Sequence, residues 1–127
     1  MYFNLGVVNS ETGDKIKSRE FYEKAIELDP KMENAYLNLV ALILEDESNI
    51  VDQMNSLGTS RADNAKYDEL KAKREQLYLE CVPVLKSLIA LDESNLEAVK
   101  TLRNIYGTIG DNEGFMAMKD IVDKYEQ

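Results

Sequence analysis

Residues 2–5 read Tyr-Phe-Asn-Leu and residues 36–39 read Tyr-Leu-Asn-Leu, so one short motif, Tyr-x-Asn-Leu, recurs after 34 residues. Around its second occurrence, Tyr36, Leu39 and Ile43 follow one another at steps of three and four residues. Such spacing places apolar side chains on one face of an α-helix. The chain has only two prolines to oppose helices, so an all-α fold is predicted.

Two further sequence motifs repeat in the same register as the first. The pattern Ile-x-Leu-Asp at residues 26–29 returns after 63 residues at residues 89–92, and Gly-Asp at residues 13–14 returns after 97 at residues 110–111. The third displacement equals the first two combined, which indicates an internal repeat.

This register divides the chain into three units, residues 1–32, 33–95 and 96–127, which we expect to form one domain. The outer units are close to 34 residues long, whereas the middle unit carries 29 more, inserted at about residues 45–75. The prediction is three helix-turn-helix units, about six helices, stacked as an α-solenoid.

The first unit resembles the tetratricopeptide repeat (TPR) family, whose unit is a helix pair of about 34 residues. The residues that carry the resemblance are Tyr2, Leu5, Gly6, Gly13, Asp14, Tyr22, Ala25 and Pro30. The unit departs from the family at Asn9, where an aromatic residue is preferred, and at Ser18, where alanine is preferred. The later units keep fewer of these residues, and Phe115 occupies a small-residue position in the third.

The insertion has two interpretations. Ile50, Met54 and Leu57 continue a helical stripe after Ile43, and Leu70 and Leu77 lie on a stripe that leads into the next helix. This pattern favours an antiparallel hairpin of elongated helices that projects by about 20 Å. The alternative is a disordered loop, for which the polar residues 45–49 are the best evidence.

Two local signals refine the helix boundaries. Ser94 and Glu97 are spaced as a capping box, so Ser94 is expected to cap the first helix of the third unit. Pro83 lies where the second helix of the middle unit should run, and it is expected to kink or divide that helix.

Composition excludes several classes of function. The chain contains 15 Lys and Arg against 24 Asp and Glu, for a formal net charge of −9, which disfavours nucleic acid as a partner. Without histidine there is no Ser-His-Asp or Cys-His nucleophile, and the common zinc sites are absent. The single cysteine, Cys81, is interpreted as a buried small hydrophobic residue.

Carboxylates were the remaining candidates for chemistry. They cluster at residues 45–47, 92–93 and 111–113, where helix ends and turns are expected, and caps or solvated surface explain them. No catalytic residue, metal site or cofactor is predicted, and no apolar run is long enough to cross a membrane.

The resemblance implies a protein partner. In TPR proteins the first helix of each pair, the A helix, lines a concave groove that receives a peptide. The positions on this face are Phe3, Val7, Ser10 and Glu11, then Asn34, Leu37, Ala41 and Leu44, and finally Glu97, Lys100, Asn104 and Thr108. Nine of them are singled out as the candidate partner-binding residues: Phe3, Val7, Glu11, Asn34, Leu37, Ala41, Leu44, Lys100 and Asn104. Because the first unit has Phe3 and Val7 where the family's carboxylate clamp needs Lys and Asn, that clamp is not expected.

The sequence therefore predicts a non-catalytic scaffold that binds a partner peptide or protein on the concave A-helix face. The alternative is a structural segment of a longer solenoid, or a unit that self-associates into a homo-oligomer, without a peptide site. The chain is expected to be a fragment of a longer protein similar to bacterial cell-envelope TPR proteins. Its location stays open between the cytoplasm and, if an upstream signal is missing, the cell envelope.

Overall fold

The computed structural model describes residues 1–126 and is α-helical, with no strand in that range. Its helices are α1 (Tyr2–Glu11), α2 (Lys15–Leu28), α3 (Glu33–Ile43), α4 (Glu47–Asn55), α5 (Arg61–Leu91), α6 (Leu96–Ile109) and α7 (Asn112–Tyr125). The predicted all-α class is confirmed. These seven α-helices exceed the expected six because a 3₁₀ turn, Leu44–Asp46, separates α3 from α4.

The helices pack largely in chain order. Contacts join α1 to α2, α2 to α3, α3 to α5, α5 to α6 and α6 to α7, while α4 packs on α5. An array in which each element contacts its neighbours is the arrangement of a helical repeat. It leaves α1, α3 and α6 as the first helix of successive pairs.

The core is centred on the C-terminal half of α5. Cys81, Leu85 and Leu88 are fully buried there, and Ala98 and Leu102 of α6 are buried against them. Tyr36 and Leu39 of α3 complete the same cluster from the other side. The interpretation of Cys81 as a buried small residue is confirmed, because none of its surface is exposed.

Close approach of α1 and α2 depends on Gly6. A Cβ atom on Gly6 would lie 2.6 Å from Cε1 of Tyr22, which is closer than real contacts allow. Ser18, also fully buried, donates a hydrogen bond from Oγ to the Gly6 carbonyl at 2.7 Å. This bond explains how serine is accommodated where the family prefers alanine, because its hydroxyl is satisfied.

The insertion forms a helical hairpin, and the loop interpretation is wrong. Residues 45–49, whose polarity suggested a loop, belong to the 3₁₀ turn and the first turn of α4. Ile50 of α4 and Leu70 of α5 are buried between the two arms, 8% and 2% exposed. The arms are unequal: α4 spans 9 residues, whereas α5 is continuous for 31.

Pro83 neither ends nor divides its helix, so that part of the prediction is wrong. It lies inside α5, which is α-helical on both sides of it. Proline removes the bond to the carbonyl four residues earlier, that of Leu79. Leu79 is 55% exposed, and Leu85 and Leu88, on the turns that follow Pro83, are fully buried in the core.

Side-chain caps begin four of the helices. Asp14, Ser60, Asn95 and Asp111 each accept a hydrogen bond from a backbone N–H of the first turn. The expected cap Ser94 is wrong by one residue, since Asn95 occupies the cap and bonds Ala98 N at 3.3 Å. Ser94 N instead donates to Asp92, the C-cap residue that follows α5.

Candidate functional site

Two open hollows lie on either side of the segment formed by α3 and the 3₁₀ turn. The first hollow lies between α1 and α3 and has a volume of about 350 Å³. Its lining residues come from α1, α2, α3 and the 3₁₀ turn; they are Val7, Ser10, Glu11, Tyr22, Asn38, Ala41, Leu42 and Glu45.

The second hollow lies between the base of the hairpin and α6, with a volume of about 300 Å³. Its lining is more polar and includes residues from α4, α5 and α6; they are Leu44, Glu47, Arg74, Tyr78, Thr101, Asn104, Ile105 and Thr108. Adjacent residues Leu44 and Glu45 line different hollows, so only the 3₁₀ turn separates the two.

Five of the nine positions singled out on the A-helix face line these hollows. Val7, Glu11 and Ala41 lie in the first hollow, and Leu44 and Asn104 lie in the second. The predicted helical register therefore identified residues that are far apart in sequence and line a common hollow. Ser10 and Thr108, on the same face, also line them.

The other four positions lie elsewhere. Phe3 packs on Tyr22, with ring centroids 5.9 Å apart, and Leu37 is half-buried against the core. Asn34 is exposed on the first turn of α3. Lys100 forms an ion pair with Glu126 beyond the end of α7 and does not line the second hollow.

The second hollow contains a polar cluster of Glu47, Arg74 and Tyr78. The Tyr78 hydroxyl donates to Oε1 of Glu47, and Arg74 Nε donates to the Tyr78 oxygen at 3.0 Å. Arg74 also lies over the Tyr78 ring, 5.2 Å from its centroid, and its Nη2 is 3.4 Å from Glu47 Oε1. The cluster thus fixes the start of α4 to α5 at the break in the first arm.

Burial, and then the hydrogen bond to Glu47, raises the pKa of Tyr78 to about 12. The folded chain therefore holds this proton more tightly than the unfolded chain, whose tyrosine titrates near pH ~10. The resulting stabilisation is complete below that pH and is lost as the pH rises to about 12. Urea unfolding across this range should show a smaller fall in stability for Tyr78→Phe than for the wild type, and equal falls would contradict the assignment.

Charges on the first hollow are of one sign. Glu11 and Glu45 line it, and no Lys or Arg does. One cation contacts its rim: Lys15 at the start of α2, whose Nζ lies 2.8 Å from Asp46 Oδ1 and 3.7 Å from Glu45 Oε1. The hydrogen bond to Asp46 raises the pKa of Lys15, so this lysine stays charged.

The acidic clusters have structural roles at helix ends. Asp111 caps α7 through Gly114 N at 2.9 Å, and Asp92 accepts from Ser94 N at 3.0 Å. Across residues 1–126, Cys, Asp and Glu side chains form no group of three that could hold a metal ion. In the same range no helix has the length and apolar character of a membrane span.

Residues 1–32 match the family model described as Tetratricopeptide repeat. This match identifies the first helix pair as a tetratricopeptide repeat. The match covers α1 and α2, the pair that contains the Gly6–Tyr22 contact. Tetratricopeptide repeats generally mediate protein–protein interaction and typically serve as non-catalytic scaffolds.

No curated protein matches the chain. The similarity to bacterial cell-envelope proteins is not confirmed and stays a prediction.

Reasoning from the sequence did not identify several of the residues that line the hollows. Asn38 and Glu45 line the first hollow, and Glu47, Arg74 and Tyr78 line the second. One signal was present: Arg74 and Tyr78 are four residues apart and share a helix face. Their pairing with Glu47 had no such signal, because it requires the antiparallel register of the hairpin arms.

Proposed function

We propose that the chain binds a protein partner as a peptide segment laid along the A-helix face. The observation that carries this proposal is the pair of adjoining hollows beside the α3 segment, which together contain five of the nine predicted positions. Their volumes, about 350 and 300 Å³, are large enough for side chains of an extended peptide laid across both hollows.

The lining of the hollows supports this mode of binding. Val7 and Ala41 offer apolar surface, while Ser10 and the Asn38 amide offer hydrogen-bonding groups to a peptide backbone. Because these groups stand on packed helices, the scaffold loses little conformational entropy when the partner binds. In this proposal the three units, residues 1–32, 33–95 and 96–127, act as one rigid domain.

Ala41→Arg is the variant that tests the first hollow. Ala41 is exposed, so the fold should tolerate arginine there, but its long side chain would fill the cavity. Peptides selected from a random phage-displayed library should bind the variant about tenfold more weakly, a loss of about 1.4 kcal/mol. Titration calorimetry measures the affinity, and amide chemical shifts locate the site.

Ala90→Arg is the matched control. Ala90 is also an exposed helical alanine, but it lies on α5 outside both hollows. The control should bind selected peptides as the wild type does. Equal affinities of wild type, Ala41→Arg and Ala90→Arg would contradict binding in the first hollow.

A second candidate is self-association through α1. Met1, Leu5 and Val8 share one side of this helix and are 84%, 37% and 52% exposed. Apolar side chains exposed together on one helix face are typical of an interface. Light scattering over a range of concentrations distinguishes the candidates, because only self-association makes the apparent mass rise with concentration.

A further inference from the structure

Apart from α2, the elements that line the first hollow carry carboxylates and no cations. Residues 1–14 and 32–60, which include α1, α3, the 3₁₀ turn and α4, contain no Lys or Arg. The same segments contain Glu11, Asp14, Glu33, Glu45, Asp46, Glu47 and Asp52. The acidic excess is local to these segments, since α6, the A helix of the third unit, carries Lys100 and Arg103.

Within the hollow, the carboxylates are placed around apolar surface. Glu11 ends α1 and Glu45 lies in the 3₁₀ turn, while Val7 and Ala41 lie between the same two helices. Among residues 1–126, Glu11 has no salt-bridge partner, and Glu45 has only the 3.7 Å contact with Lys15. An occupant therefore meets negative charge that the protein itself only partly neutralises.

We propose that the first hollow recognises a cationic segment: an extended peptide whose Lys or Arg side chain lies between Glu11 and Glu45. Its aliphatic stem would contact Val7 and Ala41, as long basic side chains do on apolar surfaces. This inference rests on the proposed peptide site and adds the chemical class of its ligand. An acidic segment would leave like charges facing one another and is disfavoured.

Removing the charge of Lys15 should change the affinity for a cationic peptide in the opposite direction from removing the charge of Glu11 or Glu45. The Lys15 ammonium contacts Glu45 and Asp46, so it competes with the ligand cation for Glu45, one of the two carboxylates of the proposed site. Lys15→Gln should therefore strengthen binding of a cationic peptide, whereas Glu11→Gln and Glu45→Gln should weaken it. At the strength of exposed ion pairs, each change is roughly two- to fivefold in affinity.

The probe is a short end-blocked peptide of alternating lysine and alanine, compared with its glutamate counterpart. Affinity is measured by calorimetry at two salt concentrations, with amide shifts of Val7 and Ala41 as the local readout. The lysine peptide should move these shifts and bind more weakly at high salt, because exposed charges are screened. The glutamate peptide should leave the amide shifts of Val7 and Ala41 unchanged.

Glu113→Gln is the control for net charge. It removes the same charge as Glu11→Gln, but Glu113 is exposed on α7, which packs on α6 and contributes no residue to the first hollow. If Glu113→Gln weakens binding as much as Glu11→Gln, the attraction is nonspecific and the proposal is wrong. If both peptides bind the hollow equally, the cationic preference fails while the peptide site stands. If neither these peptides nor the library-selected ones move the Val7 and Ala41 shifts, both proposals fail.

Discussion

Leu85→Ala is expected to lower the free energy of unfolding by about 3–5 kcal/mol. Leu85 is fully buried in α5, at the centre of the cluster that joins α3, α5 and α6. The loss combines the transfer of the removed methyl groups with the cavity that they leave. It is a large part of the 5–15 kcal/mol that typically stabilises a domain. Urea unfolding followed by circular dichroism measures it.

Two variants frame this result. Leu79→Ala makes the same change on the same helix, but Leu79 is 55% exposed, so its cost should stay within about 0.5 kcal/mol. Leu85→Met keeps the side-chain volume and should cost less than about 1.5 kcal/mol, which gives a measurable variant if Leu85→Ala does not fold. Similar losses at Leu79 and Leu85 would show that α5 is not the centre of the core.

Gly6→Ala is expected to lower the free energy of unfolding by about 1–3 kcal/mol. In an open helix this change would instead stabilise by about 1 kcal/mol, because alanine is the better helix former. Here the new Cβ would lie 2.6 Å from Cε1 and 2.7 Å from Cδ1 of Tyr22, which is itself buried. The ring cannot move without opening the α1–α2 contact, and denaturant unfolding reports the cost.

Gly107→Ala is the matched substitution in α6. A Cβ atom there would lie 3.2 Å from the Phe115 ring, which is half-buried and has room to adjust. We expect this variant to be clearly more stable than Gly6→Ala. Equal losses at both glycines would mean that packing on Tyr22 has no special role in the first helix pair.

Helix content and repeat register could be predicted because they depend on spacing along the chain. The three- and four-residue steps around Tyr36 and Leu39 identify a buried face, and both residues are indeed buried. The same register placed Val7 and Ala41 on facing helices. Phe3 and Leu37 are half-buried, as Val7 and Leu44 are, but they line neither hollow, because the register assigns a helix face and not the point along that face where a hollow opens. Their role in binding stays a prediction.

The pairing of small and large side chains at the contact within each helix pair could not be predicted from the sequence. In the third unit, Phe115 occupies a small-residue position and faces Gly107, where a Cβ would be 3.2 Å from its ring. Gly114 of the same pair lies opposite Tyr106, where a Cβ would be 2.8 Å from the ring. The first unit uses the reverse arrangement, with glycine on the first helix and tyrosine on the second. Such an exchange keeps the interhelical volume and follows from three-dimensional packing, not from a motif.

The two arms of the hairpin differ in how they can transmit motion. The first arm is interrupted by the 3₁₀ turn, whereas α5 runs for 31 residues, about 46 Å, from the tip of the hairpin into the centre of the core. A partner that pulled on the tip would thus act on Leu85 and Leu88 through one rigid rod. The hairpin would act as a lever on the core, so a displacement of its tip would strain the helix pairs that pack on either side of α5.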